Sequence, residues 1–316
     1  MISVFYELQK SVGDDKLDNL DMKILSRLLN NCRESDRQIG KELGISGGAV
    51  RVRIKKMQES GVIEKFFLKI EPPVLGNGVL YFVISGENIQ EILEQVSLVG
   101  EPYIVVPCVG GVTVCGIVIK ENLDKKIDLA KKLMKDIRVL SIFEAESSDF
   151  NSNLTKTDLE ILEELIIEPR QKIEKIAKST DLSTKTITRC IEKLYDNEGF
   201  QFTLNYDPTK IEDFIPHAIL LWINGDLKDT LRKLNDTFSD SYLQIPFIAK
   251  NQIVLFLYSD SIFKMDELTQ KVRTTKNIKS ADLFIPKKIS FYTNWIKKLI
   301  EESKKSPKLH LTYQTN

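Results

Sequence analysis

Residues 43–63 read LGISGGAVRVRIKKMQESGVI, and the reading of the whole chain turns on them. Leu43 closes a helical pattern, and Gly44-Ile45-Ser46 then supplies a tight turn, with glycine where positive φ is needed and Ser46 placed to cap the next helix. On that helix Val50, Ile54 and Met57 share one face, and Gly61 marks its carboxy-terminal cap before a strand over 62–70. Upstream, Leu20, Ile24, Leu28 and Leu29 line a first amphipathic helix, while Ile39 and Leu43 line the inner face of a second that Ser35 caps. Helix, helix, turn, helix and strand in this order predict a winged helix-turn-helix over 16–72.

The direction opposite Val50, Ile54 and Met57 is taken by Gly48, Val52, Lys55 and Lys56, flanked by Ala49, Arg51 and Arg53. A basic helix of this width fits the major groove of double-stranded DNA, its early residues near base edges and its basic flanks near phosphates. Ser46, Gly48, Ala49, Arg51, Val52, Arg53, Lys55 and Lys56 are the expected DNA-facing set. An outward β-branched residue does nothing for folding, so Val52 is read as a contact for a thymine methyl.

The pattern recurs. Asp21, Ile24, Leu25, Arg33, Ile39, Ser46 and Ile54 align with Asp158, Ile161, Leu162, Arg170, Ile176, Ser183 and Ile191 at a constant offset of 137, and Tyr103 and Pro107 align with Tyr242 and Pro246 at 139. In the second copy Lys185 and Arg189 replace Gly48 and Val52, while Cys190 and Glu192 replace Arg53 and Lys55, so the exposed chemistry is rewritten. Over 17–63 nine basic residues against six acidic give +3, and over 154–200 eight against ten give −2, so the first copy is expected to bind DNA better. Lys185, Thr188, Arg189 and Lys193 are the second copy's candidates.

Each helical segment is followed by strand, helix, two strands, helix and strand. In the first copy these fall at 79–85, 89–96, 103–109, 112–119, 123–137 and 140–146; in the second at 218–223, 227–238, 242–249, 252–258, 265–272 and 280–285. The expected class is therefore α+β, with two winged helix-turn-helix domains alternating with two βαββαβ (ferredoxin-like) domains. The expected boundaries are an amino-terminal extension 1–15, helix-turn-helix 16–72, βαββαβ 73–148, helix-turn-helix 149–208, βαββαβ 209–288, and a carboxy-terminal helix and tail 289–316. Phe291, Trp295 and Leu299 at helical spacing suggest that last helix, and the tail after Pro307 is expected to be disordered.

Composition agrees with folded protein of several domains: 316 residues, 42% hydrophobic and 28% charged, without an apolar run that could span a bilayer. No membrane partner and a cytoplasmic location are expected, since residues 1–15 lack a signal-peptide pattern. Lysine plus arginine equals aspartate plus glutamate at 45 each, so attraction to a polyanion must come from local patches. Cys32, Cys108, Cys115 and Cys190 sit in apolar segments without ligand spacing and read as reduced packing residues.

Leu17-Asp18, Asp21, Lys23-Ile24-Leu25, Arg33, Leu43-Gly44-Ile45-Ser46, Val50, Arg53-Ile54-Lys55-Lys56 and Gly61-Val62-Ile63 resemble the Lrp/AsnC family, strongly over about a seventh of the chain and more loosely over nearly all of it. The resemblance implies a transcription regulator on double-stranded DNA, with βαββαβ sheets that pair into a homodimer or an intramolecular pseudo-dimer, and a small-molecule effector at interfaces between them. Many members carry a glycine, two variable residues and an aspartate at the central hairpin. Here Gly110-Gly111 in the first copy and Asn251-Gln252 in the second have no such acid, so recognition of an amino-acid ammonium is in doubt. Gly110 and Gly111 are effector-site candidates against the plainer reading of a hairpin turn.

Some tetrapyrrole (siroheme) decarboxylases resemble this family in fold and rely on histidines and arginines around the porphyrin. Only His217 and His310 are present here, and no phosphate loop, nucleophile motif or carboxylate pair stands out. The expectation is a non-enzyme without cofactor or metal. A decarboxylase-like enzyme, or a protein-binding co-regulator suited to the acidic second copy, is the alternative.

Overall fold

The computed structural model describes residues 16–120, 123–144, 154–249 and 251–305. The extension 1–15, the junction 147–153, His310 and the tail after Pro307 lie outside them. The first copy folds as α1 (Asn19–Asn30), α2 (Asp36–Leu43), α3 (Gly47–Glu59), β1 (Ile63–Ile70), β2 (Gly78–Ser85), α4 (Ile89–Ser97), β3 (Glu101–Cys108), β4 (Val112–Ile119), α5 (Leu123–Leu133) and β5 (Arg138–Glu144). The second repeats this as α6 (Lys156–Ile167), α7 (Ile173–Thr180), α8 (Thr184–Tyr195), β6 (Phe200–Tyr206), β7 (Ile215–Ile223), α9 (Leu227–Phe238), β8 (Tyr242–Ala249), β9 (Gln252–Ser259), α10 (Ile262–Arg273) and β10 (Ile278–Phe284). A short strand β11 (Ser290–Phe291) and α11 (Asn294–Lys305) follow.

Side chains that satisfy orphan backbone groups set the helix ends. Asp18 and Asp21 form a reciprocal capping box on α1, Ser35 and Gln38 one on α2, and Thr155 and Asp158 one on α6. Pro72 and Pro208 each end the preceding strand and open a 3₁₀ turn, because proline cannot donate to a ladder.

The two larger sheets have the orders β11-β3-β4-β2-β5 and β10-β7-β9-β8, so each βαββαβ segment adopts the ferredoxin-like strand order and β11 extends the first. Leu80, Phe82 and Ile84 on β2 and Ile92 and Val96 on α4 centre one core; Ile219 and Leu221 on β7 with Leu234 and Phe238 on α9 centre the other. Burial of each such side chain contributes about 2 kcal/mol. The strands after the third helices, β1 and β6, pair with each other.

The chain forms two compact units that cut across the sequence repeat. One joins the first helix-turn-helix, up to Lys65, mainly to Leu204–Phe247 and Asn251–Pro286; the other is built mainly from Phe66–Thr203 and the segment from Lys287 on. In the first unit Ser26 donates to the Tyr242 carbonyl at 3.4 Å, and Asn30 accepts from the Ile245 amide at 3.1 Å, so α1 is tied to strand β8. In the second, Trp295 and Phe291 pack on Tyr103, whose hydroxyl donates to Glu71 at 3.0 Å.

Two expectations need correction. Phe291 belongs to strand β11 rather than to the last helix, because its backbone pairs with Ile104 of β3, and the helix starts only at Asn294. The helix expected to reach Ile137 ends at Leu133, since the strand to its carboxy side begins at Arg138 and Ile137 packs on the core from the connection.

His217 lies within β7, 2% exposed; its Nδ1 bonds to the Ile215 carbonyl at 2.9 Å, and Nε2 has no hydrogen-bond partner among the described residues. Burial lowers its pKa from 6.5, outweighing the opposite pull of the Ile215 bond. The folded state thus disfavours protonation: stability is fully present above about 6.5 and is lost as pH falls from there towards the lower folded value. Urea midpoints measured between pH 7 and pH 5 are expected to decline in the wild-type chain and to stay nearly level in His217→Leu. An equal decline in both would assign the acid sensitivity elsewhere. No helix among the described residues is long and apolar enough to cross a membrane, and none of their His, Cys, Asp and Glu side chains group as a metal site. Cys32, Cys108, Cys115 and Cys190 are buried and form no disulfide.

Candidate nucleic-acid interface

The candidate surfaces are α3 in one unit and, separately, α8 in the other. Ser46 accepts the Ala49 amide at 3.1 Å and Ser183 accepts the Thr186 amide at 3.1 Å, so each third helix begins where a serine stops the turn. Gly44 sits at φ 72°, and Asp181, its counterpart, holds the same left-handed conformation at φ 55°. Two further glycines shape the first motif without having stood out in sequence. A β-carbon on Gly40 would lie 2.6 Å from the Ile45 carbonyl oxygen, and one on Gly47 would lie 3.1 Å from Arg37 backbone atoms. The second copy carries Ala177 at the position of Gly40, and that shared smallness was the available signal.

Val50, Ile54 and Met57 are buried under α3, and Ile187, Ile191 and Leu194 under α8. Outward, Ser46, Gly48, Arg51, Val52 and Lys55 are exposed, while Ala49 and Lys56 are half-buried. Val52 is 69% exposed, and a β-carbon on Gly48 would touch nothing nearer than the Ser46 hydroxyl at 3.7 Å. Arg51 meets Asp36 at 2.9 Å with its side chain still 77% exposed, and Lys55 meets Glu59 at 3.3 Å. Lys56 donates to the Lys16 carbonyl at 3.0 Å.

Arg53 departs from expectation. Its guanidinium turns inward to Asp21 at 2.7 Å and Asp18 at 2.9 Å, and Asp21 is 2% exposed. The hydrogen bond to Asp21 raises the arginine's pKa further, and although burial works the other way on Asp18, the Asp21 amide and Arg53 hold that carboxyl below the usual range. Arg53 therefore braces α3 against α1.

The second copy keeps the acid and moves the cation. Cys190, where Arg53 stands in the first, is buried rather than part of a rewritten exposed face, and burial pushes its thiol up to about 12. Lys193 meets Asp158 at 2.7 Å in Arg53's place; burial acts to raise the Asp158 carboxyl, but Lys193 and the Thr155 amide bring it below the ordinary value. Lys193 thus joins Arg53 as an internal brace. Thr188 is half-buried and donates to the Thr184 carbonyl at 2.9 Å, which leaves Lys185 and Arg189 as the exposed cations of α8. Gly110 and Gly111 take φ 89° and 75° in the β3–β4 hairpin, a conformation that by itself accounts for two glycines.

Residues 17–58 match the model of the AsnC-type helix-turn-helix domain, and residues 154–198 match that of a winged helix-turn-helix DNA-binding domain. The HTH-type transcriptional regulator Ptr1 of Methanocaldococcus jannaschii is 41% identical over 88 residues, 27% of this chain and 60% of that protein. Regulatory protein AsnC of Escherichia coli is 36% identical over 67 residues, 21% of this chain and 44% of that protein. The chain thus spans about half of these relatives' length. A crystal structure of the siroheme decarboxylase NirDL aligns with 91% of this chain and 100% of its own at 12% identity and a TM-score of 0.45, a likeness too loose to bear on chemistry.

Proposed function

We propose that this chain, whose first helix-turn-helix is of the Lrp/AsnC kind, acts as a sequence-specific DNA-binding transcription regulator. The observation that carries the reading is the outward face of α3, where Gly48 and Val52 have no folding reason for their identity and Arg51 and Lys55 rim them. Phosphate contacts from the rim fix register, and the open centre approaches base edges. Paired βαββαβ sheets, within one chain or across two, would space recognition helices by a turn of duplex or a multiple of it. A small-molecule effector bound where the sheets assemble would make the response ligand-dependent.

Hydroxyl-radical footprinting of the full chain on its own upstream fragment tests this. The wild-type chain is expected to protect a defined stretch, and Gly48→Glu, which meets no packing barrier in the fold, is expected to abolish protection through steric and charge repulsion. Protection unchanged by Gly48→Glu would exclude α3 as the reading element.

A further inference from the structure

The third helices of the two copies agree inside and differ outside. Val50, Ile54 and Met57 correspond to Ile187, Ile191 and Leu194, apolar and buried in both, so the helices present equivalent positions outward. At two of these, one turn apart, Gly48 corresponds to Lys185 and Val52 to Arg189 in the repeat. The rim exchanges too: Arg51 and Lys55 correspond to Thr188 and Glu192.

Partnering reverses what net charge alone suggests. On α3, Arg51, Arg53, Lys55 and Lys56 each have a partner within the chain. On α8, Lys185 and Arg189 are exposed and make no ion pair among the described residues. Two exposed cations in the first half of α8 with no ion-pair partner among the described residues, in a copy whose overall charge is negative, suit directed hydrogen bonds to base edges better than general attraction to phosphate. Arginine and lysine match the two acceptors that guanine offers in the major groove, whereas valine offers only apolar surface and suits the thymine methyl.

We propose that the two copies read different bases, the first a thymine through Val52 and the second a guanine through Arg189 and Lys185, so that the chain recognises a duplex without two-fold symmetry. The inference rests on the regulator reading above. A homodimer of single-copy chains presents identical helices and reads a palindrome. A chain that carries both helices is released from that constraint, and the exchanged outward residues use the release.

Selection of the full chain on a randomised duplex library tests the inference. The expected product is a motif with unlike halves, one containing thymine and the other guanine. Changing that guanine to adenine should weaken wild-type binding about tenfold and leave Arg189→Ala, already weakened by the same factor, unaffected. Replacing the thymine by uracil, which removes only the methyl, should weaken wild-type binding about threefold and Val52→Ala not at all. A motif with two like halves, a single half-site, or a guanine whose contribution survives Arg189→Ala overturns the inference while leaving the regulator reading intact. Equal, salt-labile binding to every duplex without an enriched motif overturns both.

Discussion

Arg53→Ala is expected to destabilise the first helix-turn-helix by about 2–4 kcal/mol, a loss in folding rather than in contact with nucleic acid. Asp21 is 2% exposed, and the Arg53 guanidinium is its ion-pair partner at 2.7 Å. Truncation leaves that carboxylate buried beside Asp18 with no counter-charge, and breaking such a pair from one side is far worse than replacing both members. The second copy shows a remedy, since Lys193 meets the equivalent Asp158 while Cys190 fills the arginine's position. Arg53→Cys should therefore lose less than Arg53→Ala, because the thiol, like the buried Cys190, fills more of the space that the arginine leaves. Urea denaturation of the three proteins followed by circular dichroism decides it. Equal stability of Arg53→Ala and wild type would show that the pair contributes nothing.

The contrast between Arg51 and Arg53 marks how far the sequence could be read. Helical periodicity puts both on the flank of α3, and a strong local rule governs what was legible around them: Ser35, Ser46 and Ser183 cap where a hydroxyl must accept an amide, and Gly44 sits where φ is positive. A long guanidinium reaches several ångströms from its Cα, and its final direction is chosen by acceptors on another helix. Asp21 and Asp158 were visible as repeat anchors, yet their role needed the packing of α1 on α3 and α6 on α8. Phe291 failed for a similar reason: helical spacing to Trp295 is a local signal, and pairing with Ile104 on a strand almost two hundred positions earlier outweighs it. The grouping of each helix-turn-helix with the other copy's βαββαβ segment has no local signature at all.

Neutralising Arg51 and Lys55 together is expected to leave the fold intact and weaken duplex binding by at least about tenfold at physiological salt. Their ion pairs with Asp36 and Glu59 are exposed, and pairs of that kind contribute about 0–1 kcal/mol to stability. Each cation placed against a phosphate releases about one counterion, so removal of both should reduce the slope of log affinity against log salt by about 2. The loss should fall equally on specific and scrambled duplexes, since phosphate contacts carry no sequence information. Val52→Ala, by contrast, should narrow the gap between them.

Whether α3 reads duplex sequence is decided by fluorescence anisotropy of the purified full chain on its own upstream fragment against a scrambled duplex, from low to physiological salt. The expected result is a preference for the upstream fragment that survives physiological salt, is lost in Gly48→Glu and is narrowed in Val52→Ala. Equal binding to both duplexes that vanishes as salt rises, or no binding, would contradict it.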